Sequence, residues 1–107
     1  MWFSNPIPSV PVAEAVEKIK AENVALIDVR TPSEYANGHA AGARNYPLGD
    51  MNESQAEALK KFKEVYVICQ SGGRSATATT KLRAAGVEAI NVAGGTSAWH
   101  ASGLPMS

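Results

Sequence analysis

The chain's single cysteine, Cys69, is followed by Gln70, Ser71, Gly72, Gly73, Arg74 and Ser75. A cysteine reacts as its thiolate, so its chemistry depends on whether its neighbours favour the anion. Residues 70–75 include no Asp or Glu, and they include Arg74. Paired glycines break regular structure and let backbone come close to a bound group. Such a loop can aim successive N–H groups at one point and form an anion nest. From Ser75 onward Ala76, Ala78, Leu82 and Ala85 recur at helical spacing until Gly86 stops them. That places a helix N-terminus, with free N–H groups and a partial positive charge, beside the sulfur. Val65–Ile68, before the cysteine, is a β-branched and aromatic run that reads as a strand. In open α/β sheets ligands bind beyond the carboxyl ends of strands, which is where Cys69 falls. Taken alone, a cysteine ending an apolar strand reads as a small buried hydrophobe. Glycine-rich loops also serve as ordinary turns. The Gly-Gly-Arg-Ser run and the helix after it favour a reactive thiol, because a core residue needs no such cradle.

The elements that must position this loop are legible on both sides of it. Residues 1–10 hold Trp2, Phe3, Pro6 and Pro8; the prolines bar a central strand but allow a short edge strand around Ile7–Val10. Trp2 and Phe3 are expected to pack on the domain or to be disordered. Ser9 through Ala21 reads as a helix, with Val12, Ala15, Val16 and Ile19 on one face. Val24–Val29 is a near-continuous apolar run, as in a strand covered on both faces, closed by Asp28 and Arg30. Thr31, Pro32 and Glu34 have the spacing of a capped helix start. A short strand is expected at Ala43–Asn45, a helix from Asn52 or Glu53 to Phe62, a strand at Glu88–Val92 and a last helix at Thr96–Ala101 packing Trp99 on the sheet. Strands separated by helices argue an α/β domain with a mostly parallel sheet. Right-handed crossovers then put helices on both faces, giving three layers.

The chain has 107 residues, the length of one domain and not two. Its 45% apolar content is ordinary for a globular protein. Ten basic and ten acidic residues cancel, which leaves no basic footprint for nucleic acid and no polybasic patch for a membrane. One cysteine excludes an intramolecular disulfide, there is no CxxC zinc pattern, and no metal or organic cofactor is implied. A free reactive thiol suits a reducing compartment. The N-terminal stretch lacks a basic region followed by a long apolar one, so the expected location is cytoplasmic. A monomer is expected.

Cys69 through Ser75 resembles the active-site loop of the rhodanese (sulfurtransferase) domain family. Leu26–Arg30, Glu34-Tyr35, Gly38-His39, Gly42–Asn45 and Pro47-Leu48 resemble the family's first signature. Val92–Gly95, Trp99 and Gly103–Pro105 resemble its C-terminal one. The matches run in order through a single domain spanning 1–107, with a core of about residues 6–105. The resemblance implies a rhodanese-like three-layer fold and transfer of a sulfane sulfur through a Cys69 persulfide. The donor would be thiosulfate or a persulfide carrier, and the acceptor cyanide or a thiol. Backbone N–H groups of residues 70–74 would stabilise the persulfide. Arg74 would bind or steer an anionic donor, Ser71 and Ser75 would add hydroxyl donors, and Asp28 and Arg30 would support the loop structurally. His39 falls in the first signature, away from the cysteine, and is expected to be structural; Arg44 is read as a surface arginine.

Four residues separate Cys69 from Arg74. Rhodanese-fold phosphatases carry five, which widens the cradle for a tetrahedral phosphate, so the resemblance favours sulfur over phosphate. Thiosulfate users in the family often carry a basic residue where this chain has Ser71, so thiosulfate is expected to be a poor donor beside a persulfide or polysulfide carrier. Two other readings remain open. One is a phosphatase or arsenate reductase on the same fold. The other is a non-catalytic or redox-sensing module that uses Cys69 as a switch.

Overall fold

The computed structural model describes residues 7–107. The expectations for Trp2 and Phe3 lie outside the described residues. Five strands form one sheet: β1 (Ser9–Pro11), β2 (Val24–Asp28), β3 (Arg44–Asn45), β4 (Glu64–Ile68) and β5 (Ala89–Ala93), in the spatial order β1-β5-β4-β2-β3. Every pairing within it is parallel, with Asp28 opposite Ile68 and Val67 opposite Asn91. The helices are α1 (Val12–Lys18), α2 (Pro32–Ala36), α3 (Glu53–Leu59), α4 (Gly73–Ala84) and α5 (Gly95–Ala101), with a 3-10 turn at Leu48–Asp50.

The pleat decides which side chains meet which helices. On one face Ile27, Val29, Val65, Val67, Cys69 and Ala89 pack with Ala56 and Leu59 of α3 and Ala78 and Leu82 of α4. On the other, Leu26, Tyr66, Ile68, Ile90 and Val92 pack with Val12 and Ala15 of α1 and Trp99 of α5. The expected α/β architecture, a parallel sheet between two helical layers, is the one observed. β2, β4 and β5 are apolar on both faces because both faces are covered. Trp99 is fully buried, and its indole Nε1–H donates to the Pro105 carbonyl at 2.7 Å.

Element boundaries depart from the sequence reading where tertiary pairing competes with local preference. The first helix begins at Val12, because Ser9–Pro11 pairs with Asn91–Ala93 as an edge strand, where a proline costs no ladder bond. α3 stops at Leu59, short of Phe62; the chain must turn there so that the Lys63 N–H can reach the Asn23 carbonyl at 2.7 Å and lead into β4. Thr31 and Glu34 close the capping box on α2 as their spacing predicts.

Asp28 and Arg30 are 0% and 4% exposed and form a buried ion pair, with Arg30 Nη2 2.8 Å from Asp28 Oδ2 and Nε 3.1 Å from both carboxylate oxygens. Removing one partner strands the other charge in the interior, at a cost of about 3–5 kcal/mol. Arg30→Ala is therefore expected to lower the urea unfolding free energy by about 3–5 kcal/mol. A loss below about 1 kcal/mol, the scale of a surface pair, would show that the pair does not hold the strand ends together.

Candidate active site around Cys69

Cys69 stands at the carboxyl end of β4, at the centre of the sheet, and is 1% exposed. Its sulfur shares the side of the sheet covered by α4. The chain leaves the strand through Gln70 and Ser71, reverses at Gly72 with φ +118°, and enters α4 at Gly73. That φ belongs to the region glycine favours, so the sequence Gly72-Gly73 is what permits the sharp entry. The turn brings the Gly72 N–H to 3.1 Å from Cys69 Sγ. Burial pushes the thiol pKa up. Hydrogen bonds from the Ser75 hydroxyl and from the N–H groups of Ser75, Gly72 and Ser71 outweigh that and hold it below that of an ordinary thiol.

Ser75 is fully buried in the first turn of α4. Its single hydroxyl proton serves Asn91 Oδ1 at 2.6 Å and the Gly72 carbonyl at 3.1 Å, and the hydroxyl also helps lower the thiol pKa. Asn91 sits on β5 and donates in turn to Ser9 Oγ at 3.3 Å. Ionisation of Cys69 makes the sulfur a strong acceptor and draws the Ser75 proton toward it.

The backbone of the loop is fastened from the opposite side by α5. The Cys69 carbonyl accepts from Thr96 N at 2.8 Å and Thr96 Oγ1 at 3.0 Å, and the Gln70 carbonyl accepts from Ser97 N at 3.1 Å. A Cβ at Gly95 would lie 2.5 Å from the Cys69 carbonyl oxygen, so only glycine admits this approach. The Gln70 side chain accepts from Arg30 Nη1 at 3.1 Å and donates to Ser97 Oγ at 2.8 Å. Through Arg30 the buried Asp28 pair is thus wired to the residue after the cysteine.

Of the loop residues singled out in the sequence, Gly72 directs its N–H at the sulfur, Ser71 and Ser75 help lower the thiol pKa, and Gln70 faces Arg30 and α5. Arg74 is engaged elsewhere. Its guanidinium makes a two-pronged ion pair with Glu34, at 2.6 and 2.9 Å. His39 stacks on Tyr35 with ring centroids 3.7 Å apart, and its Nδ1 lies 2.9 Å from the Tyr35 carbonyl. Arg44 lines a separate hollow with Ile19 and Phe62. Glu34, Asn91 and Thr96 were not visible as site residues in the sequence. Glu34 looks like a helix cap, which it also is, and its partner lies 40 positions away. Among the described residues no cluster of His, Cys, Asp or Glu could hold a metal ion, and no helix is long and apolar enough to cross a membrane.

A thiol of lowered pKa stands at a parallel-sheet carboxyl edge, beside the N-terminus of α4, an arrangement that favours the thiolate form. Residues 11–102 match the rhodanese-like domain model, and the chain belongs to that family. It is 39% identical over 102 residues to a putative sulfurtransferase of Bacillus subtilis, YtwF, covering 94% of this chain and 98% of that protein. It is 42% identical over 91 residues to thiosulfate sulfurtransferase 16, chloroplastic, of Arabidopsis thaliana, covering 74% and 76% of the two. An uncharacterized Synechocystis protein, 42% identical over 83 residues, is longer; this chain spans 46% of it. The fold is similar to the crystal structure of a rhodanese-related protein from Thermoplasma volcanium, with a TM-score of 0.84, 34% identity, and coverage of 94% and 97%. These likenesses support a sulfurtransferase family role.

Ser75→Ala is expected to shift the pH profile of Cys69 alkylation upward, since it deletes the side-chain hydrogen bond that helps lower the thiol pKa. The reaction would then require higher pH to reach half its limiting rate. An unchanged profile would mean that the hydroxyl proton stays on Asn91 and the backbone amides alone favour the thiolate.

Proposed function

We propose that this protein moves a sulfane sulfur from a donor to a thiophilic acceptor through a persulfide on Cys69. The observation that carries the reading is the cysteine sulfur held 3.1 Å from the Gly72 N–H at the mouth of α4, in a loop free of carboxylates. In the first half-reaction the Cys69 thiolate attacks the outer sulfur of the donor. A sulfur–sulfur bond forms on Cys69 while the donor's own sulfur–sulfur bond breaks, and the electron pair leaves on sulfite (from thiosulfate) or on a thiolate (from a persulfide carrier). In the second, cyanide or a thiol attacks the outer sulfur of the Cys69 persulfide and restores the thiolate. The scheme is ping-pong, with one covalent enzyme intermediate.

The residue roles follow from the same cradle. The N–H groups at Ser71, Gly72 and Ser75 favour the Cys69 thiolate, and the same donor-rich loop at the mouth of α4 would stabilise the charge of the persulfide's outer sulfur. Gln70 and Gly73 belong to the loop as spacer and helix start, and Asp28 with Arg30 holds its base. A reducing compartment such as the cytoplasm would keep the single thiol available.

Intact mass measured after incubation with excess thiosulfate, or with a small persulfide, and again after cyanide tests the scheme. The expected result is a gain of one sulfur atom on the wild-type protein, removed by cyanide as thiocyanate. Cys69→Ser is expected to gain none and to transfer none. Sulfur transfer by that variant at the wild-type rate would overturn the mechanism.

A further inference from the structure

Arg74 is the only cation in the cysteine loop, yet it is not free. Both terminal nitrogens are bonded to Glu34, at 2.6 and 2.9 Å, in the parallel two-bond geometry that makes arginine–carboxylate pairs strong. The pair is 40% and 34% exposed, so it stands at the surface. Hydrogen bonding to Arg74 and capping by Thr31 hold the Glu34 carboxyl down at about 2, so it is ionised at any working pH. Glu34 is pre-positioned by its own helix: its Oε1 also accepts from Thr31 N and Oγ1, each at 3.1 Å.

The two partners line different grooves beside the loop. Glu34 lines one open groove, of about 480 Å³, together with Gln70 and Ser97. Arg74 lines another, of about 440 Å³, whose walls are Val29, Pro32, Pro47 and Leu48, with Asp50 also present. Val29 and Leu48 pack in the same layer as Cys69, so this second groove adjoins the sulfur's side of the sheet. The ionisable side chains lining the two grooves are Arg74 matched by Glu34, Arg30 matched by Asp28, Asp50 unmatched among the described contacts, and His100 on the Glu34 side. A small dianion meets no uncompensated arginine or lysine among the side chains lining these grooves. An organic carrier with an apolar body meets a wall of suitable chemistry and size.

We propose that Glu34 is a donor-specificity residue. By occupying Arg74 it masks the loop's cation, selects against free dianions such as thiosulfate, and leaves the entrance to persulfides borne on organic groups that rest against Val29, Pro32, Pro47 and Leu48. The inference rests on the sulfurtransfer reading. For such a donor, R–S–SH, the Cys69 thiolate takes the outer sulfur with its proton, and RS⁻ departs with the electron pair of the broken bond.

The test compares kcat/KM for thiosulfate and for the persulfide of 2-mercaptoethanol in wild type and E34Q. Glutamine still satisfies the capping box, so α2 is retained. E34Q is expected to raise kcat/KM for thiosulfate by about tenfold, because an unpaired guanidinium now faces a dianion. That gain should fall steeply with added salt, while persulfide use changes less than about twofold. Adding R74A to E34Q should abolish the gain. An unchanged thiosulfate kcat/KM in E34Q, with persulfide transfer intact, overturns the role of Glu34 and leaves sulfurtransfer standing. Absence of transfer from either donor in wild type as well overturns the underlying reading with it.

Discussion

The carbonyl oxygens of Cys69 and Gln70 are both taken by the first turn of α5, and the rest of the site depends on this. Peptide groups carry a donor and an acceptor, and a loop that is to hold an anion must show it only donors. Thr96 and Ser97 remove the acceptors from play with hydrogen bonds of 2.8, 3.0 and 3.1 Å, and the N–H groups of Ser71, Gly72 and Ser75 are left for the sulfur. The arrangement tolerates no side chain at Gly95, whose Cβ would fall within 2.7 Å of three backbone atoms of Cys69 and Gln70. The C-terminal helix is therefore part of the cysteine site, although none of its side chains is bonded to the sulfur.

A second constraint enters from β2. Its parallel register with β4 sets Asp28 opposite Ile68, one residue short of the cysteine. The ion pair with Arg30 is buried, and Arg30 also donates to Gln70 and to the Gly38 carbonyl at 2.8 Å. A buried ion pair is weak as a source of net stability but strongly directional. Here the direction is the useful part. It ties the ends of two adjacent central strands and the turn after α2 into one frame, so the loop at Cys69 is built on rigid elements.

The layers of this fold were readable because burial leaves a pattern in sequence. β2 and β4 are apolar on both faces, and the helices between them alternate faces, so α/β architecture follows from local composition. The cysteine loop was readable for a similar reason, since Gly72-Gly73-Arg74-Ser75 has no use in a core. Pairings across long separations left no such trace. Glu34 with Arg74, Ser75 with Asn91, and Thr96 with Cys69 are separated by 40, 16 and 27 positions. Each of these residues also has a sufficient local explanation as a cap, a helix start or a strand residue, which hides the second role. The edge strand β1 was legible around Ile7–Val10, but its extent was not: Ser9–Pro11 also favours a helix start locally, and pairing with Asn91–Ala93 decides otherwise.

Arg74 shows how the same loop can be assembled for different charges. It is the second residue of α4, so the helix start that cradles the sulfur also fixes where the arginine leaves the loop. Glu34 is the third residue of α2, fixed by its own capping box. Two short-range devices, each set by local sequence, thereby meet in an ion pair between helices. The thiolate is then favoured by neutral donors, the amides and one hydroxyl, while the arginine's field is cancelled close to its source. Amide donors act over the length of a hydrogen bond, whereas an unpaired guanidinium attracts anions over roughly a Debye length, about 8 Å in physiological salt. A site built on the first and shielded from the second favours a thiolate at short range and exerts little long-range pull on a free anion. On the proposed reading, recruitment would come from contact with the body of a carrier, at the walls of the groove beside Arg74.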